Sequence, residues 1–149
     1  MELFNKNILD KFYGLIFFLK KSRKDFELVA DEIGDSPLRT ALNGLSTESN
    51  YFAGEIKQQL KSLGVYAENA DGFEGYVPEV FETESEVPGI EISAICSHNE
   101  FSLLRAYNEL ITDYIPYQSL KEIMIYQMNA IKNTFSKVQT LNTARFVSY

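Results

Sequence analysis

Tryptophan is absent from the 149-residue chain, and cysteine and histidine occur once each, as Cys96 and His98. A lone cysteine excludes an internal disulfide framework. A lone histidine excludes a metal centre built on several imidazoles, and with no obvious partner beside it in the sequence no Ser-His-Asp set is expected. No glycine-rich phosphate loop is present, because GFEGY at 72–76 is not followed by a helix carrying Lys-Ser or Lys-Thr. Long apolar runs are also missing. The stretch Tyr13 to Leu19 is far too short to span a bilayer, and MELFNKNILDKF is interrupted by Lys6 and Lys11, so no signal peptide is expected. Lys and Arg are absent from Ser62 to Leu104, where Glu and Asp recur. With a net charge of -7, the chain is unsuited to non-specific binding of nucleic acid or an anionic membrane. A cytoplasmic protein of one domain, residues 1–149, is the expectation.

What the chain does have is apolar residues at alternating spacings of three and four, the seam of a packed helix. A first helix is predicted from about Lys6 to Ile33 on Leu9, Phe12, Ile16, Leu19, Arg23, Phe26, Ala30 and Ile33. A second opens at Asp35-Ser36-Pro37, an oxygen-bearing cap followed by proline. Its stripe runs Leu38, Leu42, Leu45, Ser49, Phe52, Ile56, Leu60, Leu63, and Gly64 closes it, with Val65 packing back. A third is predicted from about Ile90 to Tyr114 on Cys96, Glu100, Leu103, Tyr107, Leu110 and Tyr114. The fourth runs from about Gln118 to Leu141 on Leu120, Met124, Gln127, Ile131, Thr134, Val138 and Leu141, leaving a loose tail at 142–149.

Connection lengths set the expected topology. About two residues join the first two predicted helices and about three join the last two, which makes each pair an antiparallel hairpin. Residues 65–89, rich in glycine and acids, form the remaining connection. A helix of about 27 residues is roughly 40 Å long, and about 12 extended residues run back along it. The segment therefore suffices for one long crossover, giving an all-α, ferritin-like four-helix bundle.

One polar residue interrupts each stripe near its middle: Arg23, Ser49, Glu100 and Gln127. Burying polar groups is costly unless they are paired. Counting back from the turns places Glu48 beside Arg23 and Ser49, so Arg23, Glu48, Ser49, Glu100 and Gln127 are predicted to form a buried polar layer around an ion pair. Lys20, Lys21 and Lys24 wind around the helix and are read as surface charges. Tyr107, Tyr114, Tyr117 and Tyr126 suit helix packing with hydroxyls in water, and Cys96 suits a small buried hydrophobe.

Three stretches, KDFELVADEIGDSPLRTAL, FAGEIKQQLKSLG and CSHNEFSLLRAYNELI, together with Gln127, resemble in order and spacing a bacterial family of ferritin-like four-helix bundles of unassigned function. The resemblance implies the ferritin-like fold and transfers no catalytic residue. A ferritin-like di-iron site takes Glu-x-x-His on two helices. No such motif exists here, and Arg23 stands at the level of the first ferritin-like glutamate. Only an all-carboxylate site from Glu27, Glu48 and Glu100 remains conceivable, with few ligands for a hard cation. No cofactor is expected.

The reading these features favour is a non-enzymatic bundle, stress-related or partner-binding, that works through its surface, with an unknown protein partner or self-association. The alternatives are a ferritin-like metalloprotein or oxidoreductase with a degenerate carboxylate site, and a small-molecule-binding bundle.

Overall fold

Four α-helices account for the secondary structure of the computed structural model, which describes residues 6–66, 88–113 and 115–144. They are α1 (Lys6–Glu32), α2 (Ser36–Ser62), α3 (Pro88–Ile111) and α4 (Gln118–Ala144), and there is no strand among the described residues. The segment 67–87, most of the expected crossover, lies outside the described residues, as do Tyr114 and 145–149. No described helix is long and apolar enough to cross a membrane.

The ends of α2 follow directly from its sequence. The Asp35 carboxylate accepts the Leu38 amide at 2.9 Å, which satisfies one of the donors a helix start leaves open. At the other end Gly64 takes φ +88°, a left-handed conformation that costs a glycine little. That geometry lets Gly64 N donate to Lys61 O at 3.0 Å and Val65 N to Leu60 O at 2.8 Å, the paired bonds of a Schellman cap. Val65 then packs back on the core. The last turn of α1 is closed from outside, since the Arg39 guanidinium donates to Ile33 O, with Nε at 2.9 Å. α3 ends at Ile111, earlier than expected: Thr112 N still bonds to Asn108 O four residues back, but Asp113 N tightens to Leu110 O three residues back.

Helix α1 packs along α2 and α3, and α4 packs along α3 and α2. All four apolar stripes meet in one core. Phe12, Leu15, Ile16, Leu19 and Phe26 of α1 are wholly buried, as are Leu42, Leu45 and Ile56 of α2. Leu103, Tyr107 and Leu110 of α3 and Met124, Ile131, Phe135 and Val138 of α4 are buried with them. Each large apolar side chain so buried contributes about 1.5–3 kcal/mol. Phe26 and Phe135 meet edge to face at 5.7 Å and 71°, joining α1 to α4 through the centre of the core. Lys11 pairs with Asp113, tying α1 to the end of α3.

Residues 142–144, expected to belong to a loose tail, are helical. Helix α4 continues to Ala144, because Asn142 is buried and donates through Nδ2 to Ser93 Oγ of α3 at 2.9 Å. A polar residue there ends the apolar stripe without ending the contact. Asn142→Ala should cost about 1 kcal/mol in denaturant unfolding, whereas the neighbouring exposed Thr143→Ala should stay within about 0.5 kcal/mol of the parent.

Candidate functional site

The polar interruptions of the four stripes do not meet in a single layer. On α1 the buried polar residue is Ser22, not Arg23, and on α3 it is Asn99, not Glu100. Arg23 lies at the surface and pairs with Glu27 at 3.0 Å across one helical turn, with side chains 36% and 55% exposed. The expected internal partnership of Arg23 with Glu48 or Glu100 is therefore absent. What α2 touches at this position is the Arg23 carbonyl, which accepts Ser46 Oγ at 2.8 Å. Glu100 is half-buried and lines the outer side of α3 with Phe101 and Arg105.

The buried charge belongs instead to Lys21, expected at the surface, and to Asp25, which lies one turn further along α1. Their side chains are 6% and 1% exposed, and Lys21 Nζ donates to Asp25 Oδ2 at 2.8 Å. Asn99 of α3 fits between them. Its Nδ2 donates to Asp25 Oδ2 at 3.2 Å and to Ile95 O at 3.0 Å. Its Oδ1 accepts Ser22 Oγ at 3.0 Å and, more weakly, Lys21 Nζ at 3.4 Å. The amide thus faces a cation with its oxygen and an anion with its nitrogen.

A second cluster joins α3, α4 and α2. The wholly buried Tyr107 donates its hydroxyl to Gln127 Oε1 at 2.8 Å. Gln127 Nε2 passes the chain on to Glu55 Oε1 at 2.8 Å and reaches Phe52 O at 3.4 Å. Burial, and then the charges of Glu48 and Glu55, push the Tyr107 phenol well above its ordinary range, so it acts as a neutral donor. Its hydroxyl is internal, contrary to the expectation of a wet one, whereas Tyr126 is largely exposed. Half-buried Glu48 accepts Thr134 Oγ1 at 2.9 Å, and burial raises its carboxyl above the usual value. Ser49 is fully buried, and its Oγ has no hydrogen-bond partner among the described residues. Of the five residues expected in one layer, the structure buries Ser49 and Gln127, leaves Glu48 and Glu100 half-buried, and turns Arg23 outward.

Among the described residues no three His, Cys, Asp or Glu side chains come together as a metal site would require. Glu27 and His98 lie on the exposed surface. Cys96 is buried, and burial together with the Glu100 charge pushes its thiol up to about 12, the opposite of an activated nucleophile. No family model matches the chain, and neither a curated protein nor a solved structure does. What the site can do is thus read from its own geometry.

Two measurements check this arrangement. Asp25→Ala breaks the buried pair with Lys21 from one side and should cost about 3–5 kcal/mol, while Arg23→Ala removes an exposed pair worth about 0–1 kcal/mol. Urea unfolding of the two variants should separate them clearly. The second concerns Cys96, whose folded pKa of about 12 exceeds its ordinary value of 9.0. Between these values the unfolded chain releases the proton and the folded one keeps it, so stability falls as pH rises through the window. From about pH 8 to about pH 10.5 the parent should lose about 2 kcal/mol more than Cys96→Ala.

Proposed function

We propose that the chain is a non-enzymatic, ferritin-like four-helix-bundle protein of the bacterial type it resembles, cytoplasmic, and acting as a scaffold that binds a protein partner or a second copy through its outer faces. The observation that carries this reading is the Lys21 ammonium, buried inside the bundle and bonded to Asp25 and Asn99. A fixed internal cation opposes a metal dication at this level of the bundle, and its bonds stay within the protein. The hydroxyl of Tyr107 and the amide of Gln127 are likewise engaged with neighbouring side chains.

The ferritin-like topology is part of the same proposal, and cross-helix bonds support it. Ser46 meets Arg23 and Arg39 meets Ile33, as in an antiparallel α1–α2 hairpin. Tyr107 meets Gln127 and Ser93 meets Asn142, as in an antiparallel α3–α4 hairpin. Ser22 meets Asn99 while Lys11 meets Asp113, as in an α3 that runs antiparallel to α1 and hence parallel to α2. A parallel α2 and α3 require the long crossover of a ferritin-like bundle.

Elemental analysis of protein purified without chelator, combined with affinity capture from its source cells, tests the function. The scaffold reading expects no stoichiometric transition metal. It also expects a co-purifying partner or self-association that is lost when exposed Phe101 is changed to Asp or Tyr51 to Lys, with the melting temperature unchanged. Stoichiometric iron or manganese held through Glu27, Glu48 or Glu100 would replace this reading with a metalloprotein.

A further inference from the structure

The outer side of the α2–α4 contact holds a groove of about 580 Å³ whose lining includes Gly44, Thr47, Glu48, Tyr51, Phe52 and Tyr126. Three aromatic rings form a row across it. Tyr51 and Phe52 lie 6.1 Å apart, Phe52 and Tyr126 lie 6.3 Å apart, and both pairs are edge to face. The outer two rings are open to solvent, with Tyr51 66% and Tyr126 67% exposed, while Phe52 is buried. Tyr51 and Tyr126 thus flank Phe52 and offer ring surface to solvent on its two sides.

Glu48 supplies the charge. Among the described residues its one hydrogen-bond donor is the Thr134 hydroxyl, which has one proton to share between Glu48 and the Ala130 carbonyl, 3.0 Å away. A carboxylate offers about four acceptor positions, so most of this one's capacity is unused. No cation pairs with it among the described residues, and none of the groove's lining residues is basic. Gly44 contributes no side chain, and a β-carbon placed there would meet nothing within 4 Å. The groove is therefore open above the carboxylate.

We propose that this groove binds a small organic cation of the quaternary ammonium class, with its charge on Glu48 and its alkyl shell against Tyr51, Phe52 and Tyr126. An alkylated ammonium is weakly hydrated, so it gains from ring faces and from a half-dry carboxylate together. A primary ammonium keeps its water and its hydrogen bonds, and it gains less from the rings. The site goes beyond the scaffold reading and does not rest on it, since it needs only the outer surfaces of α2 and α4.

A chemical-shift titration tests the site, with choline as the probe. Two controls accompany it: ethanolamine, which lacks the methyl shell, and choline's uncharged carbon analogue, in which a quaternary carbon replaces nitrogen. Choline should give saturable shifts at the Tyr51 and Tyr126 rings, and each control should bind about tenfold more weakly, the effect of losing one such interaction. Glu48→Gln should weaken choline by a similar factor, and Gly44→Met should block it by filling the groove. Both variants should melt no lower than the parent, since Glu48 makes no ion pair and methionine is a better helix former than glycine. Absence of saturable shifts would overturn the proposal. So would equal binding by either control, or unchanged affinity in Glu48→Gln.

Discussion

The contact between Asn99 and the Lys21–Asp25 pair is the constraint on which the rest of the bundle depends. Two full charges are taken out of water at the α1–α3 contact, and their mutual attraction offsets only part of that loss. The amide completes the arrangement, because one of its ends suits the ammonium and the other suits the carboxylate. A shift of α3 by one residue would bring a different side chain to this place and leave both charges underbonded. The register of α3 on α1 is thus set by a few polar atoms, although the apolar contacts around them supply most of the attraction. The Tyr107–Gln127–Glu55 chain does the same for α3, α4 and α2, one level further along.

The helices were legible in the sequence because the spacing of apolar residues repeats over many turns and the caps carry specific residues. Asp35 and Gly64 act as their positions suggest. The interior polar residues were only half legible, for a geometric reason. Leu19 and Phe26, like Cys96 and Leu103, are seven residues apart, and the inward position between them can fall three or four residues after the first. The four-residue step selects Arg23 and Glu100, while the protein uses Ser22 and Asn99. Small polar side chains lose less hydration on burial and can satisfy each other directly, as these two do at 3.0 Å. On α2 and α4 the same ambiguity exists, between Glu48 and Ser49 and between Gln127 and Met128, and there Ser49 and Gln127 are the fully buried members.

Lys21 and Asp25 lie beside the seam rather than on it, so apolar periodicity carries no sign of them. Their separation of four residues is equally common on solvated helix faces. The packing of α3, which brings Asn99 from far along the sequence, turns an ordinary surface pair into an internal one. The α2–α4 groove was illegible for a related reason. Gly44, Glu48, Tyr51 and Tyr126 form a surface only once two helices are side by side, and each alone reads as an unremarkable exposed residue.

The charged partners in the interior both belong to α1, and this bears on the order of events in folding. An intrahelical pair forms as soon as its helix does, within about a microsecond of helix–coil relaxation, and at that stage it is still hydrated. The dehydration that makes it a buried pair is therefore postponed to the moment α3 arrives. Because the residues of α3 come from far along the chain, that step also closes a long loop between packed helices. The energetic barrier of charge stripping and the entropic barrier of loop closure coincide in a single docking event. Mutations at Asn99 are thus coupled to the joining of the two halves of the chain, whereas mutations at the helix caps act within each half.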